Sequence, residues 1–216
     1  MAYNGTKRKE KAELTRQRIY ETAERLSAAR GFSEISVNEI IREAGVSKGA
    51  FYFHFPSKDS FFTSLISDYV EKLDTDYEAY LDTFSDDVAT GQILCGLVGE
   101  IADAITGQVG VDRMKAVYKA QLTKDYDTSV VMSYNRGLYT LFSRVLKRGI
   151  ARGEFRADIQ HDELSRQMVT VLRGITYEWC IRYPDYDYKA QALSLFGLLL
   201  SGLYACRSAK PPADYK

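Results

Sequence analysis

The chain has 216 residues, 45% of them hydrophobic and 27% charged, which is the ordinary usage of a soluble globular protein. Its 29 basic and 29 acidic residues cancel, so no global field draws it to a polyanion or a membrane surface. The length permits one domain, or a small module joined to a larger one.

Charge is spread unevenly along the sequence. Residues 1–60 hold 11 Lys/Arg against 8 Asp/Glu, and residues 61–216 hold 18 against 21. The first 30 residues carry 8 against 4, with "KRKEK" at Lys7–Lys11. A basic end on a neutral chain points to polyanion contact, although such runs are also found simply solvated. Cys95, Cys180 and Cys206 are far apart and form no C-x-x-C or Cys/His cluster, so three buried free thiols are expected. "MAYNGTKRKEK" has no apolar core of a secretory signal, and the apolar run Ala190–Ala205 is too short to span a bilayer. A soluble, cytoplasmic protein with no membrane partner is the expectation.

With four prolines and long tracts of 3.6-residue periodicity, the chain reads as all-α. The first helix is expected from Lys9 to Arg30, with Leu14, Ile19, Ala23 and Leu26 as its apolar face and Gly31 as its stop. In "ISVNEI", Ser36 is an N-cap with Glu39 three residues on. Ile35 and Ile40 stand in the hydrophobic-staple positions of that capping box. This second helix is short, because Gly45 suits a left-handed residue just past its end. Ser47 then caps a third helix, Lys48 to His54, with Val46 and Phe51 as its staple. Pro56 and Ser57 end it and start a fourth, Lys58 to Thr83. Beyond Ser85 five more helices are expected: Gly91–Thr106, Asp112–Leu122, Thr128–Arg152, Asp162–Arg182 and Tyr186–Ser208. The last two are apolar on more than one face, which suits burial against a partner subunit or a central place in a monomer's core.

Two short helices joined through Gly45 form a helix-turn-helix pattern, which an ordinary helical hairpin also shows. On a duplex, the third helix would enter the major groove with its first turn toward base edges. Close approach favours Gly49 and Ala50, Lys48 can donate to guanine, and Ala50 offers a methyl group to thymine. Tyr52 and His54 can reach phosphates, while Phe51 and Phe55 pack inward and Phe53 has no assigned role. Ser36 and Lys58 lie at helix N-termini, where hydroxyl, ammonium and backbone N–H groups suit a phosphate oxygen. Each has an ordinary structural explanation too: Ser36 as a cap, Tyr52 and His54 as rim packing, Lys58 as a solvated first-turn residue.

The stretch "ISVNEIIREAGVSKGAFYFHFPSKDSFF", with "TRQRIYETAERLSAARGF" before it, resembles the DNA-binding module of TetR-type (tetracycline-repressor-like) transcriptional regulators over Thr15–Leu65. The resemblance implies a fold of about nine helices. They comprise an N-terminal three-helix helix-turn-helix DNA-binding module, residues 1–57, and a C-terminal helical ligand-binding and dimerisation domain, residues 58–216. It implies that Ser47, Lys48, Gly49, Ala50 and Tyr52 face a double-stranded operator and that Ser36, His54 and Lys58 take phosphate positions. Asn38 matches a second-helix position that sometimes reads bases, and it also suits the second residue of an ordinary helix. It implies a homodimer joined through the last two helices, for which Leu193, Phe196, Leu199, Leu200 and Leu203 are the candidates. It further implies an unidentified small-molecule effector that releases a repressor from a palindromic operator.

Candidate pocket residues are Met114, Tyr118, Met132, Tyr134, Phe142, Met168 and Trp179, although residues at this spacing are more often simple core; Glu100, Asp103 and Arg173 are charged residues among them that either meet a polar ligand or face solvent. A DNA-binding architectural or regulatory protein without a small-molecule ligand is the alternative. Neither a cofactor nor a metal is expected. Nor is an enzyme: there is no H-E-x-x-H, G-x-S-x-G, Walker A or G-x-G-x-x-G, and the carboxylates of Asp86–Asp87 and Asp158–Asp162 fall at helix ends.

Overall fold

A computed structural model describes residues 3–30, 35–124, 127, 129–134 and 136–204. In chain order the helices are α1 Tyr3–Arg30, α2 Val37–Glu43, α3 Lys48–His54, α4 Lys58–Leu81, α5 Thr90–Asp103, α6 Val111–Thr123, α7 Ser129–Met132, α8 Gly137–Ala151, α9 His161–Arg182 and α10 Tyr188–Ser201. Nine of these have seven residues or more, and α7 is a single turn. No β-strand occurs among the described residues; an isolated bridge joins Phe155 and Tyr204.

The helices pack as two compact units, one of Met1–Glu71 with Val109–Ser133 and the other of Lys72–Gln108 with Tyr134–Lys216. The core of the first is a single cluster, drawn from Ile19, Tyr20, Ala23 and Leu26 of α1, Ile40 of α2, Phe51 of α3, and Phe61, Phe62 and Leu65 of α4. Phe55, which caps α3, joins it edge-on to Phe61 at 4.9 Å and to Tyr20 at 5.4 Å. Offset aromatic pairs of this kind add to the area they bury.

In the second unit α8 packs on α9, and α5 packs on both α8 and α10. Its interior includes Leu94, Leu97, Phe142, Leu146, Met168, Leu172, Trp179, Tyr188 and Phe196. The Thr176 hydroxyl donates to the Leu172 carbonyl at 2.7 Å, which leaves its oxygen to accept from the Tyr188 hydroxyl at 3.0 Å.

Several expected boundaries move. α1 begins six residues before Lys9. Leu14 stands 71% exposed and does not share the face of Ile19. A separation of five residues turns a helix by about 140°, so the two side chains diverge. The helix expected over Thr128–Arg152 is broken, because Arg136 adopts extended backbone (ψ 139°) and caps α8. Arg136 is held there by Asp74, and a Cβ on Gly137 would lie 3.2 Å from the same aspartate. The helix expected to end at Thr106 gives way after Asp103 to a π-helical turn, Ala104–Val109. Cys180 is buried as expected, whereas Cys95 is half-buried and burial pushes its thiol pKa up. Gly31, Cys206 and Ser208 lie outside the described residues.

Candidate nucleic-acid interface

The path from α2 to α3 is set by short-range hydrogen bonds that the side chains dictate. Ser36 Oγ accepts the Glu39 N–H at 3.2 Å, starting α2. At the other end Gly45 takes φ +61°, a conformation that costs a side-chain-bearing residue but not glycine. Its N–H donates to the Arg42 carbonyl at 3.2 Å, and the Val46 N–H donates to the Ile41 carbonyl at 3.1 Å. This is the paired closure of a Schellman motif, and Ile41 and Val46 both pack on the module's core, in keeping with the apolar contact that often accompanies that motif. Ser47 Oγ then accepts the Ala50 N–H at 3.1 Å and starts α3. α4 opens with a reciprocal pair: the Ser60 N–H donates to Ser57 Oγ and the Ser57 N–H to Ser60 Oγ, both at 3.0 Å.

This frame sorts the seven residues of α3 by direction. Phe51 is fully buried and Phe55 is 2% exposed, so these two rings anchor the helix. Lys48, Gly49, Tyr52 and Phe53 are exposed, while Ala50 and His54 are half-buried. At about 100° per residue the four exposed positions occupy one continuous arc of the helix. Ser36, Asn38, Ser47 and Lys58 are exposed as well. The Ser36 and Ser47 hydroxyls accept from their own helices and keep an O–H to donate outward.

The cations divide into two groups. Arg42 lies 3.4 Å from Glu43 and 3.9 Å from Glu39, and Arg25 lies 3.8 Å from Glu43. Lys48 and Lys58 rest instead near aromatic faces, 6.0 Å from the Tyr52 centroid and 5.7 Å from that of Phe62. Among the described residues neither lysine pairs with a carboxylate. Both charges remain available to a phosphate or a base edge.

The family model for bacterial regulatory proteins of the tetR family matches residues 19–65, which span the end of α1 through the start of α4. Residues 19–65 are thus a TetR-family helix-turn-helix segment. The HTH-type transcriptional regulator AcrR of Shigella flexneri is 26% identical over 217 residues, covering 96% of this chain and 97% of that protein. The HTH-type transcriptional repressor KstR2 of Rhodococcus jostii is 27% identical over 190 residues, covering 87% of this chain and 90% of its own. Among solved structures, the transcriptional regulator FadR of Bacillus subtilis, in complex with stearoyl-CoA, superimposes with a TM-score of 0.66. It shares 20% identity and covers 87% of this chain and 99% of its own.

The candidate pocket residues do not form one group. Met114 and Tyr118 are half-buried on α6, in the first unit, and Met132 is 46% exposed at the end of α7. Phe142, Met168 and Trp179 are buried in the second unit. Tyr134 is 62% exposed, contrary to a lining role, because it falls in the break before α8 rather than inside a helix. Its ring lies 4.9 Å from the Arg166 guanidinium and meets Tyr139 edge-on at 5.3 Å. Asp103 is tied to Lys189 at 2.6 Å, and Arg173 lies 5.7 Å from the Tyr139 centroid.

The expected interface residues also separate. Phe196, Leu200 and Leu203 are buried within the protomer, with Phe196 stacked on Phe142 at 6.1 Å, so they are not on offer to a second copy. Leu193 and Leu199 are half-buried. The large apolar side chains that α9 and α10 expose are Tyr177, Ile181, Leu195 and Leu198. A helix apolar nearly all round gave no sign of which side faces out. No helix among the described residues is by itself long and apolar enough to cross a membrane.

Proposed function

We propose that this protein is a ligand-responsive repressor of the TetR family that binds a palindromic operator as a homodimer and leaves it when a small-molecule inducer binds. The exposed arc of α3, bearing Lys48, Gly49 and Tyr52 and held by two buried phenylalanines, carries the reading. Lys48, Gly49 and Ala50 approach base edges, with Asn38 and Ser47 beside them. Tyr52, His54, Ser36 and Lys58 hold phosphates and set the register. Residues 1–57 form the reading module and residues 58–216 the regulatory part.

The homodimer is proposed to form through the exposed sides of α9 and α10, around Ile181, Leu195 and Leu198. The stearoyl-CoA bound by the Bacillus subtilis FadR supports an effector with a large apolar portion. We place it among the apolar helices of the second unit, near Met168 and Trp179. Such an effector induces only if it binds the DNA-incompatible state more tightly than the DNA-bound one.

The test is a binding titration of purified protein against duplexes from around its own gene, repeated across salt concentrations. Affinity for one duplex that falls steeply with salt, and is weakened by an acyl-CoA, supports the reading. Absence of salt-dependent duplex binding sinks it. Operator binding that no metabolite alters would favour a regulator without a ligand.

A further inference from the structure

We propose that Gly49 and Phe53 form a slot on α3 that receives a thymine methyl group, making Phe53 a specificity-determining residue. This rests on the reading of α3 as the helix that enters the groove. Phe53 is 78% exposed. One exposed apolar side chain is unremarkable by itself. Its position carries the inference, because it shares the outward arc with Lys48, Gly49 and Tyr52.

Gly49 and Phe53 are one turn apart, separated by about 40° around the axis. Helical side chains lean toward the N-terminus, so the phenyl ring leans over the turn that holds Gly49. A Cβ placed on Gly49 would meet only Ser47 Oγ, at 4.0 Å, so the space at Gly49 is open. The ring meets His54 edge-on at 5.2 Å and 83°, which limits where it can swing. The result is an exposed apolar ring one turn from a position that carries no side chain.

A phenyl ring neither donates nor accepts a conventional hydrogen bond, so it cannot serve a phosphate. The apolar group that a major groove presents is the C5-methyl of thymine. A cytosine or a purine at that position leaves the ring facing polar edges or water.

The experiment starts from an operator duplex that the wild-type full chain enriches from random-sequence DNA. Each thymine is replaced singly by deoxyuridine, which deletes only the methyl group, and affinity is measured by fluorescence anisotropy. The wild type should lose about fourfold at one thymine per half-site, the value of one buried methyl. Phe53→Ala should bind the parent operator more weakly and show no loss at that thymine. Phe53→Leu, which keeps an apolar side chain, should show an intermediate loss and serves if the alanine variant does not fold. Lys58→Ala should weaken binding to every duplex yet keep the fourfold difference. If wild type and both Phe53 variants respond identically to uridine, or no thymine is sensitive, the slot is refuted while DNA binding stands. If the wild type enriches no sequence, the reading of α3 falls with it.

Discussion

Arg136 holds the Asp74 carboxylate in a two-pronged grip, Nη2 donating to Oδ1 at 2.9 Å and Nε to Oδ2 at 3.1 Å, with both side chains 12% exposed. This pair joins the C-terminal half of α4 to the start of α8 and explains why α8 begins where it does. Removing one partner strands the other charge away from water, so Asp74→Ala should destabilise the protein by about 3–5 kcal/mol. Arg144 pairs with Glu78 across the same two helices at 3.3 Å, but in the open. Glu78→Ala should cost about 1 kcal/mol or less. Urea unfolding at fixed protein concentration distinguishes them through the midpoint. Equal shifts would mean that burial does not set the strength of these pairs.

The second unit also contains a titration that can be read from outside. Tyr188 is 1% exposed, and burial pushes its phenol up to about 12. A raised pKa means that the folded state holds the proton more tightly than the unfolded chain. The stabilisation is complete below the unfolded value of about 10 and is lost as pH rises through the folded one. Stability should therefore be level up to about pH 10 and fall by about 2–3 kcal/mol by pH 12 from this group. Tyr188→Phe should be less stable at neutral pH through loss of the bond to Thr176, and its alkaline slope should be shallower by that amount. An unchanged slope would show that Tyr188 ionises freely in the folded protein.

What could be read from sequence was mostly what nearby residues decide for one another. The Ser36 cap, the glycine at Gly45 and the cap at Ser47 each act over three or four residues, and all three helix boundaries follow. The anchoring of α3 by Phe51 and Phe55 was equally local. The break before α8 was not, because it depends on an aspartate 62 residues away in sequence. Phe196 and Leu198 are both apolar and lie on one helix, yet they point about 160° apart. Only the packing of α10 reveals that the first is inside and the second outside. Phe53 had no assigned role for the same reason, since its exposure depends on how α3 sits on the module.

Lys48 and Lys58 are both exposed, and their proposed duties differ: one reads a base and the other holds a phosphate. Lys48→Ala should relax preference at one base position and cost about 1–3 kcal/mol on the preferred operator. Lys58→Ala should weaken binding on all duplexes and reduce the slope of log affinity against log salt by about one. Measuring both variants on the operator and on a scrambled duplex, across salt, separates the two. If both relax sequence preference to the same degree, the division of roles is wrong.

The proposed dimer offers the sharpest contrast between neighbours on α10. Leu198 is 68% exposed and Phe196 is fully buried. If Leu198 faces a second copy, a symmetric interface contains it twice, and each burial is worth about 1.5–3 kcal/mol. Leu198→Glu should then weaken association by roughly a hundredfold or more, with little change in the helical content of the separated protomer. Phe196→Ala should act on folding instead, costing about 3–5 kcal/mol as a core truncation. Sedimentation velocity over a dilution series, read alongside thermal unfolding, tells the two effects apart. A Leu198→Glu protein that stays dimeric at all concentrations would move the interface away from this side of α10. In that case the exposed side of α9 around Ile181 becomes the next surface to charge.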